Sequence, residues 1–367
     1  MASPKAGSSS STAPLSSVQE LAKEPFLGAI PSCFLLLDQE SSSSFHGDPL
    51  STIPVIDMKQ LAMAETDHSQ LDKLHSICQD WGIFQLVNHG VGASLIEKLK
   101  HEIVEFYKLP VEEKMRYKTR PGDVEGYGQT KVIQEGQKVD WADRFYMIIN
   151  PLHRRQPHLL PELPSSLRET LESYFLELQK LAMKLFGLLA KALKIEETEM
   201  KAIFEDGMQS TRLTYYPPCP QPDMVVGLTP HSDATGITIL LQVNGVEGLQ
   251  IKRDGVWIPV SFLPDAFVVN VGDILEILSN GLYNSIEHRA IVNSTKERIS
   301  IAVFFNAKFE AELGPSATLV SPENPPLFKR VGMGKYVKDF FSRKMEGKSF
   351  LDRMRMSTTA DEEQNVT

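Results

Sequence analysis

The 367-residue chain has only three cysteines, Cys33, Cys78 and Cys219, far apart and odd in number. That excludes a disulfide framework and suits a reducing compartment. No run approaches the roughly 20 apolar residues needed to span a bilayer. No apolar stretch follows a basic N-terminus, as a secretion signal would require. Positive charge is also short: 38 Lys and Arg stand against 47 Asp and Glu, a formal net charge of −9. A nucleic-acid footprint needs clustered basic side chains, so none is expected. The basic stretch 329–355 reads as one helix with a solvated face. These absences together predict a cytoplasmic protein with no membrane or nucleic-acid partner, and a monomer is expected.

What is present is ordinary globular material, 42% apolar and 23% charged, enough to build a real core. Residues 1–50 are serine-rich and poorly structured by composition, with "VQELA" and "IPSCFLLL" able to dock as a short helix and an extended arm. Residues 51–205 read as a helix-rich region with strands. It opens on the alternating strand Ile53–Met58, and Leu71, Leu74, Ile77 and Cys78 keep helical spacing. Ser94 and Glu97 form an expected capping box for a helix that stops before Pro110. The longest helix is expected from Leu167 to about Leu193, on the stripe Leu167, Leu171, Tyr174, Leu178, Leu181, Leu185 and Leu188.

From residue 206 to 310 the texture changes to short strands about ten residues apart, the mark of a β-barrel or double-sheet jelly roll. "GITILLQV", "AFVVNVGDILEIL" and "ERISIAVFFNA" each read as strands, and "KRDGVW" carries the Asp-Gly hairpin signal. Residues 311–367 should hold a C-terminal helical segment and a disordered tail. The expected fold class is α+β, mainly β, a double-stranded β-helix buttressed by helices.

Two His-x-Asp triplets occur. His46 and Asp48 lie in a serine-rich loop with no strand around them, and carry little weight. His231 and Asp233 open an apolar strand, where period-2 geometry would aim both at the same face. Two such groups facing a barrel interior are costly unless paired or ligated. His288, on another strand, is the natural third ligand. The remaining histidines fall on helices (His68, His75, His101), in a Pro/Arg-rich loop (His153, His158) or in a turn (His89). Two imidazoles and one carboxylate can cap one face of an octahedral Fe(II) and leave positions open, although zinc accepts the same ligand types. Arg298 shares a strand face with Ser300. A buried guanidinium there demands an anion, and a dicarboxylate chelating the metal at one end would meet it. Zinc hydrolysis offers no reason for that second clamp.

The motifs "HSD", His288 and "RIS", with "YYPPCPQP", "GLQIKRDGVWIPV", "VVNVGDILEILSNGLYNSIEHRAIVN" and "WGIFQLVNHGV", resemble the plant 2-oxoglutarate- and Fe(II)-dependent dioxygenases from about Ile53 to Phe341. "VQELA", "GDVEGYGQ" and "DWADRFYM" look like the branch of thebaine 6-O-demethylase, codeine 3-O-demethylase and lateral branching oxidoreductase. The resemblance implies a jelly-roll barrel with His231, Asp233 and His288 as iron ligands. It implies Arg298, Ser300 and Tyr216 as contacts to 2-oxoglutarate, with O2 as cosubstrate and ascorbate as reductant. Many relatives carry Asn where this chain has Thr214, which leaves that cosubstrate contact altered. Family substrate pockets are walled by positions matching Arg144, Tyr146, Arg212, Ala234, Phe304 and Asn306. Two unpaired arginines facing an apolar pocket would be costly, so at least one is expected to pair with a protein carboxylate.

The activity implied couples decarboxylation of 2-oxoglutarate, to succinate and CO2, to hydroxylation or O-demethylation of a small terpenoid, phenolic or alkaloid-like plant metabolite. An Fe(II)/ascorbate oxidase that uses no 2-oxoglutarate and a silent ligand-binding relative are the alternatives.

Overall fold

Twenty-nine residues, Ser165–Leu193, form the longest helix, and every residue of the predicted apolar stripe is buried on it. The computed structural model describes residues 17–23, 30–36, 53–63, 68–129, 138–343 and 346–356. The serine tracts and the His46/Asp48 triplet lie outside them. Burying one large apolar side chain is worth about 1.5–3 kcal/mol, so packing of this stripe, more than helix propensity, fixes the helix in place. Its partners are the helices Ser69–Asp80 and Ala93–Lys108 and one face of the main sheet.

Twelve strands build the two sheets that matter for the site. They are β1 (Val55–Asp57), β2 (Ile83–Val87), β3 (Gly126–Gly128), β4 (Asp143–Asn150), β5 (Gln209–Tyr216) and β6 (Leu228–His231). After them come β7 (Ile237–Gln242), β8 (Leu249–Arg253), β9 (Val256–Pro259), β10 (Phe267–Val271), β11 (His288–Ala290) and β12 (Arg298–Phe305). One sheet has the order β1-β2-β10-β7-β12-β5-β4-β3, the other β6-β11-β8-β9. From β5 onward the chain alternates between them, apart from the β8–β9 hairpin within the smaller sheet, the path of a double-stranded β-helix. Strand β12 shows the consequence for side chains. Ile299, Ile301, Val303 and Phe305 join the core beneath the long helix, while Arg298, Ser300, Ala302 and Phe304 face the opposite way into a cavity.

The Asp-Gly hairpin forms as expected between β8 and β9, with Asp254 and Gly255 both at positive φ (50° and 79°), as a type I′ turn requires.

Several expectations fail locally. "LTPHSDATGITILLQV" is two strands in different sheets, because the chain leaves β6 at His231. "AFVVNVGDILEIL" is a strand followed by a helix, Asp273–Leu278. Residues Ile53–Met58 give only three strand residues, with Met58 already helical. Ser94 is inside its helix, whose N-cap is Gly92 with no side-chain cap, so the capping box is absent. The basic C-terminal stretch is two helices, Met333–Phe341 and Ser349–Asp352, and its charge is not all solvated. Lys348 and Arg355 both donate to the buried carboxylate of Glu276, at 2.8 and 3.0 Å. Among the described residues no helix is long and apolar enough to cross a membrane.

Candidate metal and cosubstrate site

The last residue of β6, His231, lies opposite the first residue of β11, His288, in an antiparallel pair. Asp233 follows two residues after the strand ends, in the turn toward β7, so the expected period-2 placement on one strand does not hold. The three side chains nevertheless converge: all are buried, and one potential ligand atom from each lies within 4.8 Å of the others.

The hydrogen bonds around them decide which atoms are free. His231 Nδ1 is 2.8 Å from the carbonyl of Thr229, and His288 Nδ1 is 3.1 Å from that of Ile286. A carbonyl only accepts, so both rings carry the proton on Nδ1 and turn an Nε2 lone pair inward. Asp233 Oδ2 accepts from the Thr238 hydroxyl at 2.6 Å and the Asn270 amide at 2.9 Å. Its Oδ1 is left facing His231 Nε2 at 3.4 Å and His288 Nε2 at 3.7 Å.

Burial works against the Asp233 carboxylate, yet the two imidazoles and the Thr238 hydroxyl hold it well below the usual carboxylate range. Burial, with His231 beside it, pushes His288 down to about 4 and keeps its imidazole neutral. Buried His231 Nε2 has no hydrogen-bond partner. Two inward lone pairs, one of them on the orphaned His231 Nε2, and one free carboxylate oxygen fit a divalent metal with three protein ligands.

Thr238 and Asn270 face each other across β7 and β10, a direct register pair. The sequence reading missed them, although Asn270 was a polar residue in the otherwise apolar run "FVVNV". Gln242 was missed too. Its side-chain oxygen accepts from Arg298 Nη2 at 3.0 Å, while Arg298 Nη1 is 3.5 Å from Ser300 Oγ. Tyr216 lies across from Arg298 in the ladder, its ring 4.9 Å from the guanidinium, and Thr214 lies across from Ser300. Burial lowers the Arg298 pKa, and its Nε has no partner. The side chain runs so close to Gly248 that a Cβ there would come within 2.9 Å of Arg298 Cδ.

One cavity joins these groups: Asp233, His288, Arg298, Ser300, Thr214 and Tyr216 all line it. Of the expected substrate wall, Arg212 and Phe304 line it as well, and Tyr146 packs with Ala302 and Phe304. Arg144, Ala234 and Asn306 are not among its lining residues. Ala234 packs against the main core, and Asn306 lies beyond the end of β12. The expected ion pair is not seen among the described residues, although the Asp140 carboxylate favours the charge of Arg144. Among the described residues, the arginines in ion pairs are Arg116, Arg155, Arg253, Arg330 and Arg355, not Arg144 or Arg212.

Comparison with known proteins matches residues 207–307 to the 2OG-Fe(II) oxygenase superfamily and 53–163 to the non-haem dioxygenase in morphine synthesis N-terminal family. Codeine O-demethylase of Papaver somniferum is 52% identical over 345 residues, 93% of this chain and 96% of the relative. The chain belongs to the 2OG-Fe(II) oxygenase superfamily. It is a non-haem Fe(II)- and 2-oxoglutarate-dependent dioxygenase. Oxoglutarate-dependent flavonoid 7-O-demethylase 1 of Ocimum basilicum is 49% identical to this oxygenase, over 92% of the chain and 90% of the relative. The crystal structure of JOX2 in complex with 2OG, Fe and JA superposes with a TM-score of 0.85 at 35% identity, covering 94% of this oxygenase and 99% of that chain.

Proposed function

We propose that this oxygenase couples oxidative decarboxylation of 2-oxoglutarate to hydroxylation or O-demethylation of a small plant specialised metabolite. The observation that carries the reading is one cavity lined by Asp233 and His288 of the buried His-Asp-His cluster and by a buried arginine, Arg298, whose Nε has no partner. His231 Nε2, His288 Nε2 and Asp233 Oδ1 would hold Fe(II), which supplies the oxidising chemistry when bound. Arg298 with Ser300 and Tyr216 would take the distal carboxylate of 2-oxoglutarate, and Thr214 would add one hydroxyl. Gln242 keeps the guanidinium oriented, and Thr238 and Asn270 keep Asp233 turned to the metal. Phe304, Ala302 and Leu240 form an apolar wall that positions the substrate and excludes water.

The substrate is a terpenoid, phenolic or alkaloid-like compound, with ascorbate as reductant. The oxygenase acts as a cytoplasmic monomer without membrane or nucleic-acid partners, in keeping with its net negative charge. Stoichiometric succinate release on adding Fe(II), 2-oxoglutarate and a panel of methoxylated metabolites tests the reading. Product formation without succinate would favour the Fe(II)/ascorbate alternative. Substrate binding with no turnover would favour the silent relative.

A further inference from the structure

Two arginines are left without a task. In the β4–β5 ladder Arg144 faces Thr214 and Tyr146 faces Arg212, and β12 extends these rows to Ser300 and Ala302. Thr214, Arg212, Ser300 and Ala302 line the cavity, so Arg144 ends a row on the same face of the sheet. Arg212 Nε is buried with no partner, and its guanidinium is 5.6 Å from the centre of the Phe304 ring. Arg144 donates one long hydrogen bond, 3.4 Å, to the carbonyl of Gln129. Burial, and then the charge of Arg212, push its pKa down to about 10, still high enough to keep it cationic at neutral pH.

The rest of the cavity needs neither charge. On the reading above, Fe(II), the Asp233 carboxylate, dianionic 2-oxoglutarate and the Arg298 guanidinium cancel. Arg212 and Arg144 are therefore surplus within the cavity: the Asp140 carboxylate favours the charge of Arg144, but among the described residues no carboxylate pairs with Arg212. Both side chains are half-buried, with Arg212 Nε fully enclosed, and a cation partly shut away from water without a counterion is costly. Among the described residues none supplies an anion to Arg212, and an acidic group on the compound to be oxidised would do so.

We infer that Arg212, backed by Arg144, recognises an acidic oxygen group on the substrate, and that the same pair disfavours amine cations. The inference rests on the cavity being the substrate chamber of the oxygenase, and it narrows the substrate to acidic rather than basic metabolites. Sequence similarity does not make that choice, since relatives named for codeine and for a flavonoid are 52% and 49% identical. Placement adds a second consequence. An anion held at Arg212 keeps its carbon skeleton against Phe304, whose ring already contacts that guanidinium, so charge and apolar wall fix one end of the substrate together.

The test uses the full chain loaded with Mn(II) and 2-oxoglutarate to prevent turnover. Calorimetry then compares three probes on one skeleton: 4-methoxycinnamate, its primary amide, and 4-methoxycinnamylamine. The carboxylate is expected to bind about tenfold or more tightly than the amide, the scale of a charged hydrogen bond, and the amine more weakly than either. Arg212→Gln should bring the carboxylate-to-amide ratio close to one, and Arg212→Lys should keep part of it. Equal binding of the three probes, no measurable binding of the carboxylate, or an unchanged ratio in Arg212→Gln would overturn the inference. So would a loss confined to 2-oxoglutarate, which would assign Arg212 to the cosubstrate. Succinate release with Fe(II) and O2 is measured separately. Its absence would defeat the dioxygenase reading without touching the charge ranking.

Discussion

His231 and His288 are cross-strand partners on β6 and β11, with ring centroids 4.3 Å apart. Neither strand is long, so the geometry of the pair depends on what holds β6 in place. Gly347 does part of this. Its N–H donates to Pro230 and its carbonyl accepts from Ser232, at 2.9 and 3.2 Å, extending the sheet beside His231. The C-terminal segment thus supports the strand that carries the first ligand, although its residues are far from the His-x-Asp triplet in sequence.

His231→Ala, Asp233→Ala and His288→Ala should each remove tight binding of Fe(II) or Co(II), a larger loss than the roughly 10–100-fold typical of an outer-shell partner. Calorimetric titration reads the affinity, and circular dichroism reads whether the fold persists. Metal binding retained in all three variants would reject the assignment. Asp48→Ala, in the second triplet, should behave as wild type.

Asn270→Ala removes one of the two donors that turn Asp233 Oδ1 inward. The expected outcome is a roughly 10–100-fold loss of metal affinity with all three ligands intact. Thr238→Val should act in the same direction, because its hydroxyl is the other donor. If both variants bind metal like wild type, Asp233 is oriented by its backbone alone. That backbone is itself well tied, since the Asp233 carbonyl accepts from Thr235 and Asp273.

These cases show which parts of the molecule were legible in the sequence. The long helix was, because a one-sided apolar stripe has a single interpretation. The shared face of Arg298 and Ser300 was legible as well, because β12 stays extended and sends alternate residues to the core and to the cavity along its length. The turn after His231 was hidden, since the residues that follow are as β-prone as a continued strand would be. The helix Asp273–Leu278 was hidden for a different reason. All six of its residues are buried, so no stripe distinguishes it from a strand. The ion pairs of Glu276 with Lys348 and Arg355 join distant segments, and no local pattern encodes them.

Arg298→Lys keeps the charge and loses the planar fork that Gln242 and Ser300 orient. Affinity for 2-oxoglutarate should fall by about 1.5–3 kcal/mol, the value of a hydrogen bond to a charged group. The readout is the 2-oxoglutarate KM against that of the oxidised substrate. A rise confined to the substrate KM would mean the role is misassigned.

Lys348→Met removes one of two cations from the buried Glu276 carboxylate. Arg355 and the Ser285 N–H remain as partners, so the cost should fall short of the 3–5 kcal/mol seen when a buried pair is broken outright. About 1–3 kcal/mol of lost stability is expected by urea denaturation. A double variant with Arg355→Met should lose more than the two single variants summed, because it leaves the carboxylate without a cation. Additive losses would show that the two contacts act independently.

Phe304 is the residue whose role the cavity defines most sharply. Its ring lines the cavity, packs with Tyr146 and Ala302, and stands beside the Arg212 guanidinium. Truncation to alanine opens space where the substrate skeleton is expected to rest, while the metal ligands and Arg298 stay in place. Cosubstrate chemistry should therefore continue, but with the substrate held less well against the reacting centre. A misplacement of about 1 Å can cost on the order of 100-fold in a positioned reaction. The expected result for Phe304→Ala is a rise in succinate formed per oxidised product, together with a higher substrate KM. The loss of stability should be modest, since part of the ring faces the open cavity rather than the packed core. An unchanged succinate-to-product ratio with a normal substrate KM would place Phe304 in the core and take it out of the substrate wall.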